Sequence, residues 1–177
     1  AHVLDSARAL DPEKLIVVYG HGGGLVRERM AADDLIFVKQ EKQLGTGHAV
    51  LQAVPELDDT VPTLVLYGDC PLISQVSLKR LVSTAGSSQL GVLTVELDDP
   101  TGYGRIIRQE GRIVRIVEQK DGNEAELAVK EVNTGIVCAP TVPLKRWLAS
   151  LTNNNAKGEY YLTDIIGKAL ADGIAVV

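Results

Sequence analysis

Short apolar runs alternate with amphipathic stretches along most of the chain. The runs predict strands, and the stretches, in which apolar residues recur at intervals of three and four, predict helices. The predicted strands are 14–20, 35–40, 63–67, 90–97 and 131–140, and the predicted helices are 25–32, 46–57, 74–85, 143–151 and 159–173. Strands separated by helices indicate βαβ units, so we predict an α/β fold with a mostly parallel sheet flanked by helices.

The pattern changes after the fourth predicted strand. Residues 104–121, GRIIRQEGRIVRIVEQKD, alternate apolar and polar positions around a Gln109-Glu110-Gly111 turn. Such alternation predicts a β-hairpin with one solvated face, inserted into the α/β pattern. No internal repeat or flexible linker interrupts residues 1–177, and we therefore predict a single domain.

The two ends of the chain have periodic patterns of their own. Val3, Leu4, Ala7 and Leu10 are spaced like one face of a helix, and no methionine precedes them. The final residues, GIAVV, have the composition of a strand. We therefore expect the sequence to be a fragment of a longer protein.

Composition narrows the classes of function. The chain has 177 residues and a net charge of −5, which argues against a dedicated nucleic-acid or anionic-membrane surface because both need basic patches. No apolar stretch approaches the ~20 residues that cross a bilayer, and no signal peptide is visible. Cys70 and Cys138 form no CxxC motif, which favours a reduced, cytoplasmic setting over a disulfide framework.

One apolar run ends in a carboxylate, in TLVLYGDCPLIS at residues 63–74. The run predicts a strand buried on both faces, as in a parallel sheet. Asp69 then lies at the carboxyl edge of the sheet, where open α/β folds bind ligands, and is a candidate Mg²⁺ ligand. Gly68 leaves room for a flat ring or a ribose against the backbone. The alternative, that Asp69 caps the turn before a helix at Ser74, is equally open.

A second glycine turn, Gly45-Thr46-Gly47, follows a predicted strand and opens a predicted helix. Glycines allow close approach of a ligand to the backbone, and a helix N-terminus offers N–H groups to it. From this motif alone, a plain strand-to-helix turn with Thr46 as N-cap is the favoured alternative. We also favour structural roles for His48 and His21, since the loop that contains His21 lacks the Lys-Ser/Thr of a P-loop.

Glycines and polar residues interrupt three further stretches: DPTGYGRI at 99–106, IVEQKD at 116–121 and VNTGI at 132–136. A buried Glu118 or Asn133 needs hydrogen-bond partners, which protein or ligand can supply. Hydroxyl-rich ligands such as sugars suit Asn, Glu and the backbone N–H of a glycine such as Gly104. Each of these residues is equally consistent with a structural role when taken alone.

The order of six motifs carries more information than any one of them. QLGTGHA, LYGDCPL, DPTGYGRI, IVEQKD, EVNTGI and LTNNNAKGEYYLTDII resemble those of bacterial nucleotidyltransferases that act on sugar 1-phosphates. The resemblance covers nearly the whole chain. It is strongest to the uridyltransferase domain of the bifunctional N-acetylglucosamine-1-phosphate uridyltransferase/glucosamine-1-phosphate acetyltransferase family. It implies a Rossmann-like fold and transfer of UMP from UTP to N-acetylglucosamine 1-phosphate, giving pyrophosphate and UDP-N-acetylglucosamine for cell-wall and lipopolysaccharide precursors.

The resemblance also implies roles for particular residues. The residues implied to bind the nucleotide are Gln40, Gly45, Thr46, Tyr67 and Gly68, and those implied to bind the sugar are Gly104, Glu118 and Asn133. Asp69 is implied to be the Mg²⁺ ligand and thereby the catalytic carboxylate. Because a phosphate nucleophile is already ionised at pH 7, direct displacement needs no general base, and His48 is assigned no catalytic role.

The chain departs from the family pattern at both ends. The glycine-rich LAAGxGTRM loop, the strand before it and a following lysine are expected before residue 1. A second Mg²⁺ ligand, an Asn, and the β-helix acetyltransferase domain that forms homotrimers are expected after residue 177. We therefore expect this fragment alone to be inactive. The alternatives are another sugar-1-phosphate nucleotidyltransferase and a non-catalytic, nucleotidyltransferase-like binding module.

Overall fold

The computed structural model describes residues 2–20 and 22–177, so the role predicted for His21 lies outside the described residues. The helices are α1 (His2–Arg8), α2 (Gly24–Met30), α3 (Thr46–Ala53), α4 (Gln75–Ala85), α5 (Glu124–Leu127), α6 (Thr141–Ala149) and α7 (Ile165–Ala171). The strands are β1 (Leu15–Tyr19), β2 (Leu35–Lys39), β3 (Thr63–Val65), β4 (Gly91–Glu96), β5 (Arg105–Gln109), β6 (Arg112–Val117) and β7 (Glu131–Ala139). None of the described helices is long and apolar enough to span a bilayer.

β7 is the central strand of the larger sheet. β3 pairs with the carboxyl half of β7, with Thr63 opposite Ala139, and β5 begins beside its amino half, with Arg105 opposite Val132. β4 covers the other edge of β7, and β5 and β6 form a hairpin. β1 and β2 form a separate parallel pair. The predicted α/β fold with an inserted hairpin is confirmed.

Strand pairing around β3 differs from the prediction. β3 pairs antiparallel with β7 and is half-buried rather than buried on both faces. β3 and β4 point the same way, but β7 runs between them in the opposite direction. Parallel pairing within the described residues is found between β1 and β2 and at the bridge of Leu90 with Val176. An apolar run indicates burial and does not determine the direction of the neighbouring strand, which is why the expected pairing was wrong here.

β7 is packed on both faces, which explains its apolar sequence. Val137 and Ala139 belong to one core, which they share with residues of α6 and α7. Ile136 and Cys138 belong to a second core, which they share with residues of α4. Because alternate residues of a strand point to opposite faces, helices cover this strand on both sides, as in layered α/β folds.

The predicted helix boundaries hold at one place and fail at another. α4 begins as predicted after Ser74, whose Oγ accepts a hydrogen bond from the Ser77 amide at 3.2 Å. The last predicted helix begins later than expected: residues 159–161 lie outside the helices, a 3₁₀ turn follows at Leu162–Asp164, and α7 starts only at Ile165. Tyr160 instead forms backbone hydrogen bonds with Leu44 and Gly47, and this tertiary pairing overrides the helical pattern.

Candidate nucleotide and sugar site

The candidate site lies at an irregularity in β7. Between Val92 and Thr94 of β4, the register shifts so that β7 carries extra residues between Asn133 and Val137. Gly135 lies within this bulge with φ +82°, a conformation that glycine adopts without strain. Along the edge of β7 that it shares with β3 and β5, the bulge separates the two neighbouring strands. Bulges of this kind redirect side chains and are common beside active sites.

Local hydrogen bonds hold the bulge in place. Asn133 Oδ1 accepts from the Gly135 amide at 2.9 Å, and Thr134 Oγ1 donates to the Leu93 carbonyl at 2.7 Å. The backbone N–H of Asn133 donates to the Gly104 carbonyl at 2.9 Å. The Asn133 side chain therefore has a structural role in forming the bulge, and the same residue is at the cleft described next.

The predicted sugar residues come together at this bulge. Glu118, at the end of β6, lies beside Gly104: a Cβ added to Gly104 would be 3.4 Å from Glu118 Oε1. Thr163 donates its hydroxyl hydrogen bond to the same Oε1 at 3.2 Å. Asn133, Thr163 and Tyr67 line one narrow cleft. Residues that are distant in sequence thus form one polar cluster next to an apolar wall.

Tyr67 joins this cluster to the Gly45-Thr46-Gly47 turn. Its ring lies against the bulge, since a Cβ on Gly135 would be 2.6 Å from Tyr67 Cε2. Burial raises the pKa of Tyr67, and a hydrogen bond with the Thr46 side chain opposes that rise. Gly135 is therefore needed to make room for the tyrosine, and Tyr67 is held between two of the predicted motifs.

The next two residues, Gly68 and Asp69, are exposed. A Cβ added to Gly68 would meet no described atom within 4 Å. Ser74, and not Asp69, caps α4. None of the described backbone N–H groups donates to the Asp69 carboxylate, whose described donor is the Cys70 thiol, with Sγ 3.8 Å from Asp69 Oδ1. The capping alternative for Asp69 is therefore wrong, and the carboxylate is free to face a ligand.

The Gly45-Thr46-Gly47 turn is packed against the protein's own chain. The Gly47 amide donates to the Tyr160 carbonyl at 2.8 Å, and the Tyr160 amide donates to the Leu44 carbonyl at 2.8 Å. Thr46 Oγ1 accepts from the Leu162 amide at 3.1 Å. A Cβ on Gly45, whose φ is +110°, would be 2.6 Å from the Tyr160 carbonyl oxygen. The glycines are thus required by the approach of residues 159–162.

Gln40 and His48 support that turn from the inside. Gln40 is buried, and its Nε2 donates to the Gly45 carbonyl at 3.1 Å and lies 2.9 Å from His48 Nδ1. The other ring nitrogen of His48 lies 3.3 Å from Gln52 Nε2. Both ring nitrogens therefore have protein neighbours, which agrees with a structural role for His48. The side-chain nitrogen of Gln40 thus already donates to the turn. The predicted contact of Gln40 with the nucleotide stays a prediction.

Asp69 is the candidate metal ligand of the site. The described residues contain no cluster of three or more His, Cys, Asp or Glu side chains that could hold a metal ion by themselves. Mg²⁺ is commonly bound through one or two carboxylates together with substrate phosphates. A single exposed carboxylate at the end of an apolar strand fits that mode of binding, and it does not fit a site made of protein ligands alone.

Sequence reasoning missed two features of the site. Thr163, which contacts Glu118, lies in the 3₁₀ turn before α7 and was assigned to a regular helix. Arg105 is buried, with 2% exposure, although it is a charged residue in a hairpin that was predicted to have one solvated face. The sequence signal for Arg105 was its place directly after Tyr103-Gly104, at the start of the hairpin.

The fold is that of a class of protein, the nucleotidyltransferases. The model of the MobA-like NTP transferase domain matches residues 1–159, and the chain belongs to this family. Among solved structures, a UDP-glucose pyrophosphorylase complexed with UDP-glucose superimposes with a TM-score of 0.79 at 16% identity, covering 97% of this chain and 74% of that one. A putative glucose-1-phosphate thymidylyltransferase from Bacillus anthracis gives 0.80 at 19% identity, covering 99% of this chain and 72% of that one. At these identities the structures show the shared fold.

The curated relatives are more specific. The bifunctional protein GlmU of Janthinobacterium sp. is 63% identical over 177 residues, and that of Cupriavidus necator is 62% identical over 178 residues. Each alignment covers 100% of this chain and 39% of the relative, so the chain spans about two-fifths of their length. The predicted resemblance to the bifunctional uridyltransferase family is thereby confirmed.

Proposed function

We propose that this chain is the nucleotidyl-transfer part of an enzyme that moves UMP from UTP to N-acetylglucosamine 1-phosphate. The products are UDP-N-acetylglucosamine and pyrophosphate. The observation that carries the proposal is the cluster at the β7 bulge, where Gly104, Glu118 and Asn133 meet beside Tyr67. The bifunctional relatives, 63% and 62% identical, support it. We propose a cytoplasmic setting for the reaction, and trimer formation through residues outside this chain.

The polar groups of the cluster at the β7 bulge suit a sugar. Glu118 offers a carboxylate, Asn133 offers an amide, and Thr163 offers a hydroxyl, so that both hydrogen-bond donors and acceptors are present. The apolar wall, which includes Ile116 and Leu162, suits a carbon face or a methyl group. A sugar with an N-acetyl group combines hydroxyls with an amide and a methyl, and this combination matches the mixed lining.

The reaction we propose is a direct displacement. An oxygen of the sugar phosphate forms a bond to the α-phosphorus of UTP, and the bond from that phosphorus to the pyrophosphate oxygen breaks. The nucleophile is already ionised at pH 7, so positioning and charge neutralisation supply the catalysis. Tyr67 and Gly68 would hold the nucleotide at the end of β3, and the bulge cluster would orient the sugar. Both roles remain proposals.

Asp69 would hold Mg²⁺ together with the phosphates of the substrate. The ion, when bound, neutralises phosphate charge during the displacement. The contribution of this chain is the exposed carboxylate, which Gly68 leaves accessible and which forms no described ion pair. The remaining ligands would come from the substrate phosphates and from the Asn that the resemblance implies after residue 177.

The test is pyrophosphate release by the full-length protein with Mg²⁺, UTP and N-acetylglucosamine 1-phosphate. Parallel reactions contain dTTP, ATP or CTP in place of UTP, and glucose 1-phosphate in place of the amino sugar. We expect strong release with the first pair alone. Release with glucose 1-phosphate instead would keep the mechanism and replace the sugar, and no release with any pair would favour a non-catalytic binding module.

The second candidate is a related transferase with a different sugar or base. The structural similarity to a UDP-glucose pyrophosphorylase and to a putative glucose-1-phosphate thymidylyltransferase favours this alternative at the level of the fold. The same substrate panel separates the two candidates, because each predicts a different best pair.

A further inference from the structure

Arg105, the first residue of β5, carries a buried charge. It is 2% exposed, and within the described part of the chain no carboxylate lies within salt-bridge distance of its guanidinium. Its Nη2 donates to Gln119 Oε1 at 2.8 Å and its Nη1 donates to the Tyr103 carbonyl, while Nε has no partner among the described atoms. Burying a charge without an ionic partner is costly, so a fold retains such a residue for a specific reason or with a loss of stability.

A neighbouring arginine shows the ordinary arrangement. Arg108, on the same strand, forms hydrogen bonds with both carboxylate oxygens of Glu131 at 2.7 and 2.8 Å and is 40% exposed. Arg108 therefore has a surface ion pair of the usual kind. Arg105 differs in burial and in its partners, which are neutral oxygens on two segments of the candidate sugar site.

The partners of Arg105 connect the two segments. Gln119 Oε1 accepts from Arg105 and also from the Gly102 amide at 3.0 Å. Tyr103, whose carbonyl accepts from the guanidinium, directly precedes Gly104, and Gln119 directly follows Glu118. The planar guanidinium, with donors in a fixed fork, is suited to holding two acceptors at a set distance. The guanidinium thus joins the loop before β5 to the end of β6, at residues next to the proposed sugar contacts Gly104 and Glu118.

We propose that Arg105 is a positioning residue, which sets the separation of Gly104 and Glu118 and thereby the fit of the sugar. The inference rests on the proposed function, since it concerns the sugar side of that site. Arg105 acts through Tyr103 and Gln119 and does not need to touch the substrate. A lysine carries all three of its donors on a single nitrogen, so it cannot hold both acceptors in the geometry set by the two separate nitrogens of the guanidinium.

The experiment compares Arg105→Lys with Arg108→Lys in the full-length protein. Steady-state pyrophosphate release is measured with the sugar 1-phosphate varied at saturating UTP, and then with UTP varied at saturating sugar. For Arg105→Lys we expect KM for the sugar 1-phosphate to rise about tenfold, with KM for UTP within about twofold of wild type. Arg108→Lys, the matched control on the same strand, should leave both values near wild type.

A second variant covers the case in which Arg105→Lys does not fold. Gln119→Leu keeps the arginine but removes the oxygen that joins it to Gly102, and the same selective rise in the sugar KM is expected. Equal rises in both KM values, or no rise in either variant, would overturn the positioning role. A wild-type protein that releases no pyrophosphate from any substrate pair would instead contradict the proposed function, so the two failures are distinguishable.

Discussion

Two glycine turns lie at the two sides of Tyr67, and they differ in what surrounds the glycine. At Gly45, the space that a side chain would need is filled by the backbone of Tyr160. At Gly68, an added Cβ would meet no described atom within 4 Å, and the following Asp69 is exposed. In the sequence the two turns look alike, because each places a glycine in a turn that follows an apolar strand. Only the first glycine is explained by the fold itself.

The difference indicates that the Gly45 turn is part of the structural framework, whereas the Gly68 turn is a surface open to a ligand. The polar groups of the Gly45 turn form hydrogen bonds with Gln40 and with residues 159–162. The carboxylate of Asp69 has the Cys70 thiol as its described neighbour. A substitution in the first turn should therefore act mainly on stability, and one in the second turn mainly on activity.

The largest effect is expected for Asp69→Asn. Loss of the charge that would hold Mg²⁺ with the substrate phosphates should lower kcat by at least about 100-fold. The side chain is exposed, so the free energy of unfolding should change by no more than about 0.5 kcal/mol. Pyrophosphate release and thermal unfolding measure the two quantities. Wild-type turnover by the Asp69→Asn variant would contradict the metal role.

Gly45→Ala should destabilise the protein strongly. A side chain at φ +110° is strained, and its Cβ would be 2.6 Å from a backbone oxygen that cannot move away independently. We expect a loss of about 2–4 kcal/mol in the free energy of unfolding, measured by denaturant titration.

Gly158→Ala is the matched control for Gly45→Ala. Gly158 also has a positive φ, +66°, but an added Cβ would meet no described atom within 4 Å. Its cost should be limited to the strain of the backbone, about 1–2 kcal/mol. Equal losses in the two variants would show that the contact with Tyr160 does not matter.

Substitution of Asn133 is expected to have a smaller effect, and its kinetic part should be confined to the sugar. Asn133→Asp keeps the Oδ1 acceptor for the Gly135 amide but replaces the amide donor, whereas Asn133→Ala removes both. Both variants should raise KM for the sugar 1-phosphate about tenfold, a loss of about 1.4 kcal/mol, and the alanine variant should also be less stable. Binding of UTP alone should remain close to wild type in the aspartate variant. Equal weakening of sugar and nucleotide would contradict the sugar role.

The smallest effect is expected on stability at alkaline pH, through the buried thiol of Cys138 in β7. Burial raises the pKa of the Cys138 thiol from 9.0 to about 11. Between these values the folded protein binds more protons than the unfolded chain, so stability should fall as the pH rises from 9.0 to about 11. Cys138→Ala should show a shallower decline in the unfolding free energy over this range. An identical slope in both proteins would indicate that the thiol ionises freely in the folded state.

The sequence was sufficient for the pattern of elements and insufficient for their pairing. The hairpin was predictable because Glu110 and Gly111, with φ of +50° and +79°, form the tight turn that the alternating pattern requires. Val76 of α4 is apolar and yet 77% exposed, whereas Leu78 and Leu81 of the same helix are buried. Helical spacing selects a face but does not show how far the neighbouring layer extends.

The residues of the candidate site also differ in whether the sequence could indicate them. Asp69 and Gly68 could be proposed as site residues from the sequence because the end of an apolar strand is a local feature. Thr163 and Arg105 were missed because their partners lie 45 and 14 residues away along the chain. The late start of α7 has a similar cause, since Tyr160 forms backbone hydrogen bonds with Leu44 and Gly47 in place of helical ones. Contacts of this kind follow from the tertiary arrangement.

The most direct test of the comparison between the two turns is the Gly68→Ala variant. Kinetics of pyrophosphate release and thermal unfolding should be measured on the same preparation of the full-length protein. If Gly68 faces the ligand, the added methyl group should raise KM for UTP or the sugar 1-phosphate about tenfold or more, with an unchanged unfolding temperature. Unchanged kinetics would contradict the claim that this turn is the contact surface of the site.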